Sequence, residues 1–209
     1  MARPRSYDDD TRIELIDAAA TLLAREGVAG LSVRAVAEAV GATTSAIYGL
    51  FGSKAGLVQA MFAAGFAALD AELDRVPITD DPWADIQELG LAYRRSAVAR
   101  PHLYQVMFGQ PVPEFVPGPD EAAVAARTLD RLHDAVARAA ARDGLAGDLD
   151  VDRATVGTWA RAHGLASLEL AGFLGDDAEA TWRATMRADH LGWRASASEV
   201  SAREVSAPG

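Results

Sequence analysis

The chain has 209 residues, half of them hydrophobic, and a formal net charge of -10. That length suits one large domain or two small ones with a sizeable core, and the apolar content argues against disorder. The absence of cysteine excludes disulfides, thiolate chemistry and Cys-ligated metals; the charged start MARPRSYDDD does not read as a secretory signal, and charges break up every long helix, so a cytoplasmic protein with no membrane partner is expected.

Residues 11–26 set Ile13, Ile16, Ala20 and Leu23 on one stripe at helical spacing. Asp8 to Asp10 favour the positive end of that helix, and Gly27 ends it. Ser32 is a good N-cap for a second helix and Thr43 for a third, with Gly41 in the turn between them. A long helix is expected from Lys54 to about Arg75, carrying Leu57, Met61, Phe62, Phe66 and Leu69. Helical periodicity resumes at Pro82–Ala99 and again at His102–Phe108; the four prolines of GQPVPEFVPGP, residues 109–119, then force an irregular connection. Further helices are expected at Asp120–Arg142, Asp150–Leu174 and Asp177–Arg194, and the small, polar residues 195–209 read as a frayed tail. No stretch alternates with period two, so the fold class is all-α. The expected division is a three-helix N-terminal domain at 1–53, a helical domain at 54–194, and the tail.

Within this plan LSVRAVAEAVGATTSAIYGLFGSKAGL, residues 31–57, has the spacing of a helix-turn-helix. Val36, Val40, Ala42, Ile47 and Leu50 fall on the inside of the corner, and Ala37 is small where the helices cross. The overall acidity does not exclude a DNA-binding role. Residues 1–56 hold six basic against seven acidic side chains, so nearly all the negative charge lies in the C-terminal part. With only Arg34, Glu38 and Lys54 charged between 27 and 56, the footprint is sparse, and tight binding needs two subunits and good shape fit. Lys54 is the only lysine in the chain.

Together with helix 11–26, the stretch resembles the DNA-binding domain of TetR-type bacterial transcriptional regulators. In that family a tyrosine and a phenylalanine three residues apart, then a lysine and a leucine at the same interval, mark the end of the recognition helix; here they are Tyr48, Phe51, Lys54 and Leu57. The resemblance implies double-stranded operator DNA as partner, with Tyr48 and Lys54 on phosphate. Group by group, Thr43 offers a hydroxyl and free N–H groups to a phosphate, Ser32 and Arg34 hold the other strand's backbone, Thr44 and Ser45 read bases at close approach, and Ala46 touches a thymine methyl. Gly49 departs from the family, which carries a longer polar side chain there. Arg3 and Arg5 have the chemistry of minor-groove arms or of a disordered basic tail.

WARAHGLASLELAG, residues 159–172, resembles the Trp–His–Gly motif of TetR-type C-terminal domains, and PHLYQVMFG, residues 101–109, a further segment of them. Gly157, Gly164 and Gly172 each weaken a helix by about 0.5–1 kcal/mol against Ala, so close helix crossing must offset them. Gly157, Ala160, Gly164, Ala171 and Gly175 near one stripe, with Trp182, Met186 and Trp193 on the next helix, suit a four-helix interface in a homodimer. An intrachain core helix is the alternative. Met61, Phe62, Phe66, Tyr93, Tyr104, Met107, Phe108, Phe115 and Trp159, with polar tips at His133 and His163, are the candidate lining of a small-molecule effector pocket, which the resemblance implies in this domain. The four histidines show no metal spacing, and no cofactor is expected. The reading is a dimeric regulator, a repressor released by an apolar or amphipathic ligand. Its alternatives are a DNA-binding or interaction module without a ligand and, on the absence of Glu-x-x-His or a serine elbow, less favourably a helical-bundle enzyme.

Overall fold

The computed structural model describes residues 9–194 apart from 110, 111, 113, 114 and 148, and leaves out the side chains of 189 and 190. The expectations for Arg3, Arg5, Asp8 and the tail 195–209 lie outside the described residues. The chain runs α1 (Asp9–Gly30), α2 (Val33–Ala39), α3 (Thr44–Phe51), α4 (Lys54–Leu73), α5 (Pro82–Ala99), α6 (Pro101–Phe108), α7 (Pro119–Asp143), α8 (Val151–Leu170), a single 3-10 turn at Gly175–Asp177, and α9 (Ala178–Trp193). Among the described residues the only β pairing is an isolated bridge between Leu145 and Arg194.

The helices form where caps and apolar stripes agree. Gly27, at φ 68°, breaks α1 where the sequence ended it, and one more helical turn follows to Gly30. Ser32 caps α2 by accepting from the Ala35 N–H at 3.1 Å, and Thr43 caps α3 from the Ala46 N–H at 3.2 Å. Gly41 sits at φ +67°, a left-handed conformation that a Cβ would strain, so the turn between the two helices depends on it. The C-terminal end of α8 differs from expectation. The helix stops four residues early, Phe173 N–H donates to Leu168 O, and Gly172 adopts φ +82° in the turn. Gly172 is therefore a turn residue, and no helix-interior penalty has to be offset there.

By packing, the chain forms two compact units whose division differs from the expected boundary at 53/54. The first takes the chain up to Ala68 together with Arg100–Ala125; the second takes Leu69–Ala99 and everything from Ala126. The reason lies in long-range packing: α6 seats on α1, within the first unit, and so joins a segment distant in sequence to the helix-turn-helix. The first core runs through Leu15, Ile16, Leu23, Leu31, Val36, Ile47, Leu57, Met61, Phe62, Phe66, Leu103 and Val106. In the second unit α5, α8 and α9 pack on one another around Trp182, Met186, Leu165 and Ala166.

From Ala55 to Leu69 α4 carries no charged residue, so charges do not interrupt every long helix. Lys54–Leu73 is long and apolar enough, by length and composition, to cross a membrane. Half of it is buried, with Leu57, Val58, Met61, Phe62 and Phe66 in the first core; a helix apolar on most sides is what a core position requires as well.

Candidate nucleic-acid interface

The recognition element is built by the corner of α2 and α3. Ile47 and Val36 are fully buried at its inside, with Leu50 and Val40 packed against them. This leaves Thr44, Ser45, Tyr48 and Gly49 on the exposed side of α3, a set at i, i+1, i+4 and i+5 that forms one helical face. Tyr48 is more than half exposed, at 55%. A phenol standing off a helix in water is poorly placed for packing and well placed to donate to a phosphate oxygen.

Ala46 departs from the expectation. Its exposure is 0%, so its methyl lies inside the corner and cannot meet a thymine methyl. The cause is rotation: Ala46 and Ile47 are consecutive and both buried, which leaves the outer face to the residues on either side. At Gly49 the reverse holds. A Cβ built there meets nothing within 4 Å, so the position opens to solvent and its lack of a reader is a choice of side chain and not of space.

Around this face stand three groups suited to phosphate. Ser32 uses its hydroxyl oxygen as the α2 cap, which leaves its O–H proton to donate outward. Lys54 opens α4, is exposed, and has no ion-pair partner among the described residues. Just before it Gly52 takes φ 73° and Ser53 accepts from the Gly56 N–H at 3.0 Å, so the lysine is held directly after the recognition helix. Arg34 is exposed but engaged: its Nε donates to Glu38 Oε1 at 2.8 Å, and that hydrogen bond holds the guanidinium pKa above its ordinary value. The four-residue spacing of Arg34 and Glu38 on one helix is the sequence signal for this pair. So open a pair exchanges readily for a phosphate.

The residues expected to line an effector pocket fall into two groups. Met61, Phe62, Phe66, Tyr104, Met107 and Phe108 belong to the first unit, where the Phe62, Phe66 and Phe108 rings follow at 4.9 and 5.7 Å and Tyr104 meets Phe108 at 5.0 Å. Phe115 closes on Phe62 at 5.5 Å. These are tilted and edge contacts of an aromatic core. Met107 lies so close on Gly65 that a Cβ there would stand 2.6 Å from its sulfur. Tyr93, Trp159 and His163 belong to the second unit. Tyr93 Oη is 3.4 Å from His163 Nδ1, the Trp159 ring lies beside the imidazole, and burial pushes the His163 pKa down. His133 does not point into a pocket; it is half-exposed and meets Asp152 at 3.2 Å, tying α7 to α8 at the surface. The second unit also holds a void of about 10 Å³, lined by Trp83, Ile86, Val136, Leu145, Thr158, Met186 and Trp193, with room for one water.

The expected dimer residues also divide. Trp182 is 0% exposed and its indole N–H donates to Glu169 at 2.7 Å; Met186 is buried against Gly90. Gly157 is the seat of the Trp193 ring, which a Cβ would meet at 2.6 Å. These three serve the interior of one subunit. Gly164 opens to free space and Ala171 is exposed. The stripe of the second helix thus faces inward, and what covered it in the sequence argument was a partner copy only because periodicity names a face and not its neighbour.

A three-residue clamp fixes these helices: Arg94 of α5 forks onto Glu169 of α8 at 2.7–3.1 Å, and Glu169 also accepts from Trp182 of α9. Asp85 makes a second one. Burial alone would raise its pKa, but hydrogen bonds from Thr79 and Arg138 outweigh it and hold the carboxyl below its ordinary value.

Residues 15–61 match the family described as bacterial regulatory proteins, tetR family. Residues 86–188 match the tetracyclin repressor-like C-terminal domain. The chain belongs to the TetR family. It is 28% identical over 141 residues to the HTH-type transcriptional regulator Rv1816 of Mycobacterium tuberculosis, a match that covers 66% of this chain and spans 60% of that relative's length. A protein of unknown function from Rhodococcus sp. RHA1 superposes with a TM-score of 0.74 at 26% identity, over 92% of this chain and all of that one. The TetR family regulator PfmR of Thermus thermophilus shares the fold, with a TM-score of 0.71 at 21% identity over 85% and 97% of the two chains. The matched families are regulators and not enzymes.

Proposed function

We propose that this protein is a homodimeric, cytoplasmic DNA-binding transcriptional regulator, a repressor released from its operator by a small apolar or amphipathic ligand. The observation that carries the DNA-binding part is the exposed face Thr44, Ser45, Tyr48 and Gly49 between the capped ends Ser32 and Thr43 and the unpaired Lys54. Phosphate contacts orient the helix, and Thr44 and Ser45 are the side chains left to meet base edges. A mobility shift with the duplex upstream of its own gene tests this. A discrete complex that survives excess unrelated duplex is expected; a shift erased by that competitor contradicts it.

For the dimer we infer a surface revised from the sequence reading. Val156, Ala160, Gly164 and Leu168 recur every four residues along α8, with Ala171 next, and Ala180, Ala184 and Ala188 do the same along α9; all are exposed or open. Two small-residue stripes on adjacent helices suit close two-fold packing against a second copy. A dimer supplies the second recognition helix that so sparse a positive charge requires.

Release is proposed to work by population shift: ligand stabilises a state in which the two recognition helices no longer match successive major grooves about 34–36 Å apart. The aromatic groups around Phe62, Phe66, Tyr104 and Phe108, and around Tyr93, Trp159 and His163, are the proposed apolar contacts. The tight seating of Met107 on Gly65 favours a second reading, a regulator with solid C-terminal helices and no ligand. A thermal-shift screen with hydrophobic compounds separates them, because a ligand that selects the folded state raises the melting temperature by mass action.

A further inference from the structure

The sequence places Arg12 on the first helix, 20 residues before Ser32, the first position the helix-turn-helix pattern assigns to DNA. In the structure its guanidinium carbon lies over the Phe51 ring, 5.0 Å from the centroid. Phe51 is the last residue of the recognition helix, one turn beyond Tyr48 and three residues before Lys54. A cationic plane on an aromatic face is held by the ring quadrupole, and only that face is used. The five N–H donors lie in the guanidinium plane, in the fork geometry that matches a phosphate, and a contact through the face of that plane leaves them to other partners.

A second observation concerns what Arg12 lacks. Its helix carries Asp9, Asp10, Glu14 and Asp17, yet among the described residues no carboxylate pairs with it, and the ring of Phe51 is its recorded partner. This contrasts with Arg34, whose donors are taken up by Glu38 in the free protein. Arg12 is a half-exposed, aromatic-held cation at the end of α3, and it lies outside residues 15–61, the segment matched to the TetR family.

We propose that Arg12 is a further phosphate-binding residue, docked on Phe51 so that its N–H edge takes one backbone phosphate beside those of Tyr48 and Lys54. The proposal rests on the DNA-binding reading above. It adds one charge contact per subunit, of the kind that releases a counterion without reading sequence. The competing reading is that Arg12 only ties α1 to α3.

The test is fluorescence anisotropy of the full chain on a duplex from upstream of its gene, titrated between about 50 and 200 mM salt, for the wild type, Arg12→Met and Arg12→Lys. Methionine keeps an apolar stem on the Phe51 ring and removes the charge; lysine keeps the charge. For Arg12→Met the slope of log K against log salt falls by about 0.9 per subunit, which means about 3.5-fold less affinity lost over that range, on matched and unrelated duplexes alike. Arg12→Lys keeps the wild-type slope. Melting curves on the same samples show whether Arg12→Met is folded, and the Lys variant carries the test if it is not. An unchanged slope in Arg12→Met, with or without weaker binding, overturns the phosphate role and leaves the tie between helices; so does a reduced slope in Arg12→Lys. A wild type with no salt-dependent duplex binding overturns the DNA-binding reading itself.

Discussion

At the scale of single residues, the proposed recognition face combines several phosphate-suited groups with few base readers. Lys54 has no competing carboxylate among the described residues, so its whole charge is available to phosphate. Lys54→Ala is expected to weaken every duplex together and to lower the salt slope by about 1 per subunit; a changed base preference instead would remove Lys54 from the phosphate set. Gly49 stands open on the same face, and its helix loses about 0.8–1.0 kcal/mol relative to alanine. Gly49→Ala is expected to raise stability by about that amount in urea unfolding without lowering DNA affinity, whereas a loss of stability would mean the backbone there is not free to carry a Cβ. His163 gives a pH signature. Burial lowers its folded pKa below the ordinary 6.5, so the unfolded imidazole takes the proton first and stability, constant above that pH, falls as pH drops through 6.5 toward the folded value. His163→Asn should flatten the melting temperature against pH between about 7 and 5; equal slopes in both proteins would show that the ring is not held neutral.

At the scale of elements, the helix-turn-helix was legible because its determinants are local. Ser32, Gly41 and Thr43 act within four residues of themselves, and each takes the cap or turn its chemistry requires. The orientation of Ala46 was less legible, since a small residue next to Ile47 fits either face until the tertiary neighbours are known. Trp182 and Met186 show the same limit more sharply. Large apolar residues at helical spacing announce a covered face, and only the Arg94–Glu169–Trp182 clamp shows that the cover belongs to the same chain. Trp182→Ala should therefore cost about 3–5 kcal/mol of stability in the isolated subunit, chiefly through the cavity it leaves, since Glu169 keeps its fork with Arg94. A loss confined to dimer affinity, read by sedimentation against the unfolding curve, would return Trp182 to the interface. The seating of α6 on α1 and the stacking of Arg12 on Phe51 join residues far apart in sequence, and no periodicity carries that information.

At the scale of the whole molecule, the acidic balance and the sparse basic face favour the proposed dimer as the source of affinity. The exposed stripe Val156, Ala160, Gly164 and Leu168 is the surface on which this depends. Leu168→Glu, at an already exposed position, is expected to leave the fold intact, give a monomer by light scattering and lower operator affinity by orders of magnitude; a dimer that persists would place the two-fold axis elsewhere. With Ala46 inside and Gly49 bare, discrimination in the proposed complex falls to Thr44 and Ser45, to operator shape and to half-site spacing. Hydroxyl-radical footprinting of the full chain on the duplex that it shifts tests the central claim most directly. A dimer of these helix-turn-helix units protects two tracts centred one helical turn, or a multiple of it, apart and related by a two-fold axis. A single protected tract, or protection spread evenly along the duplex, would contradict it.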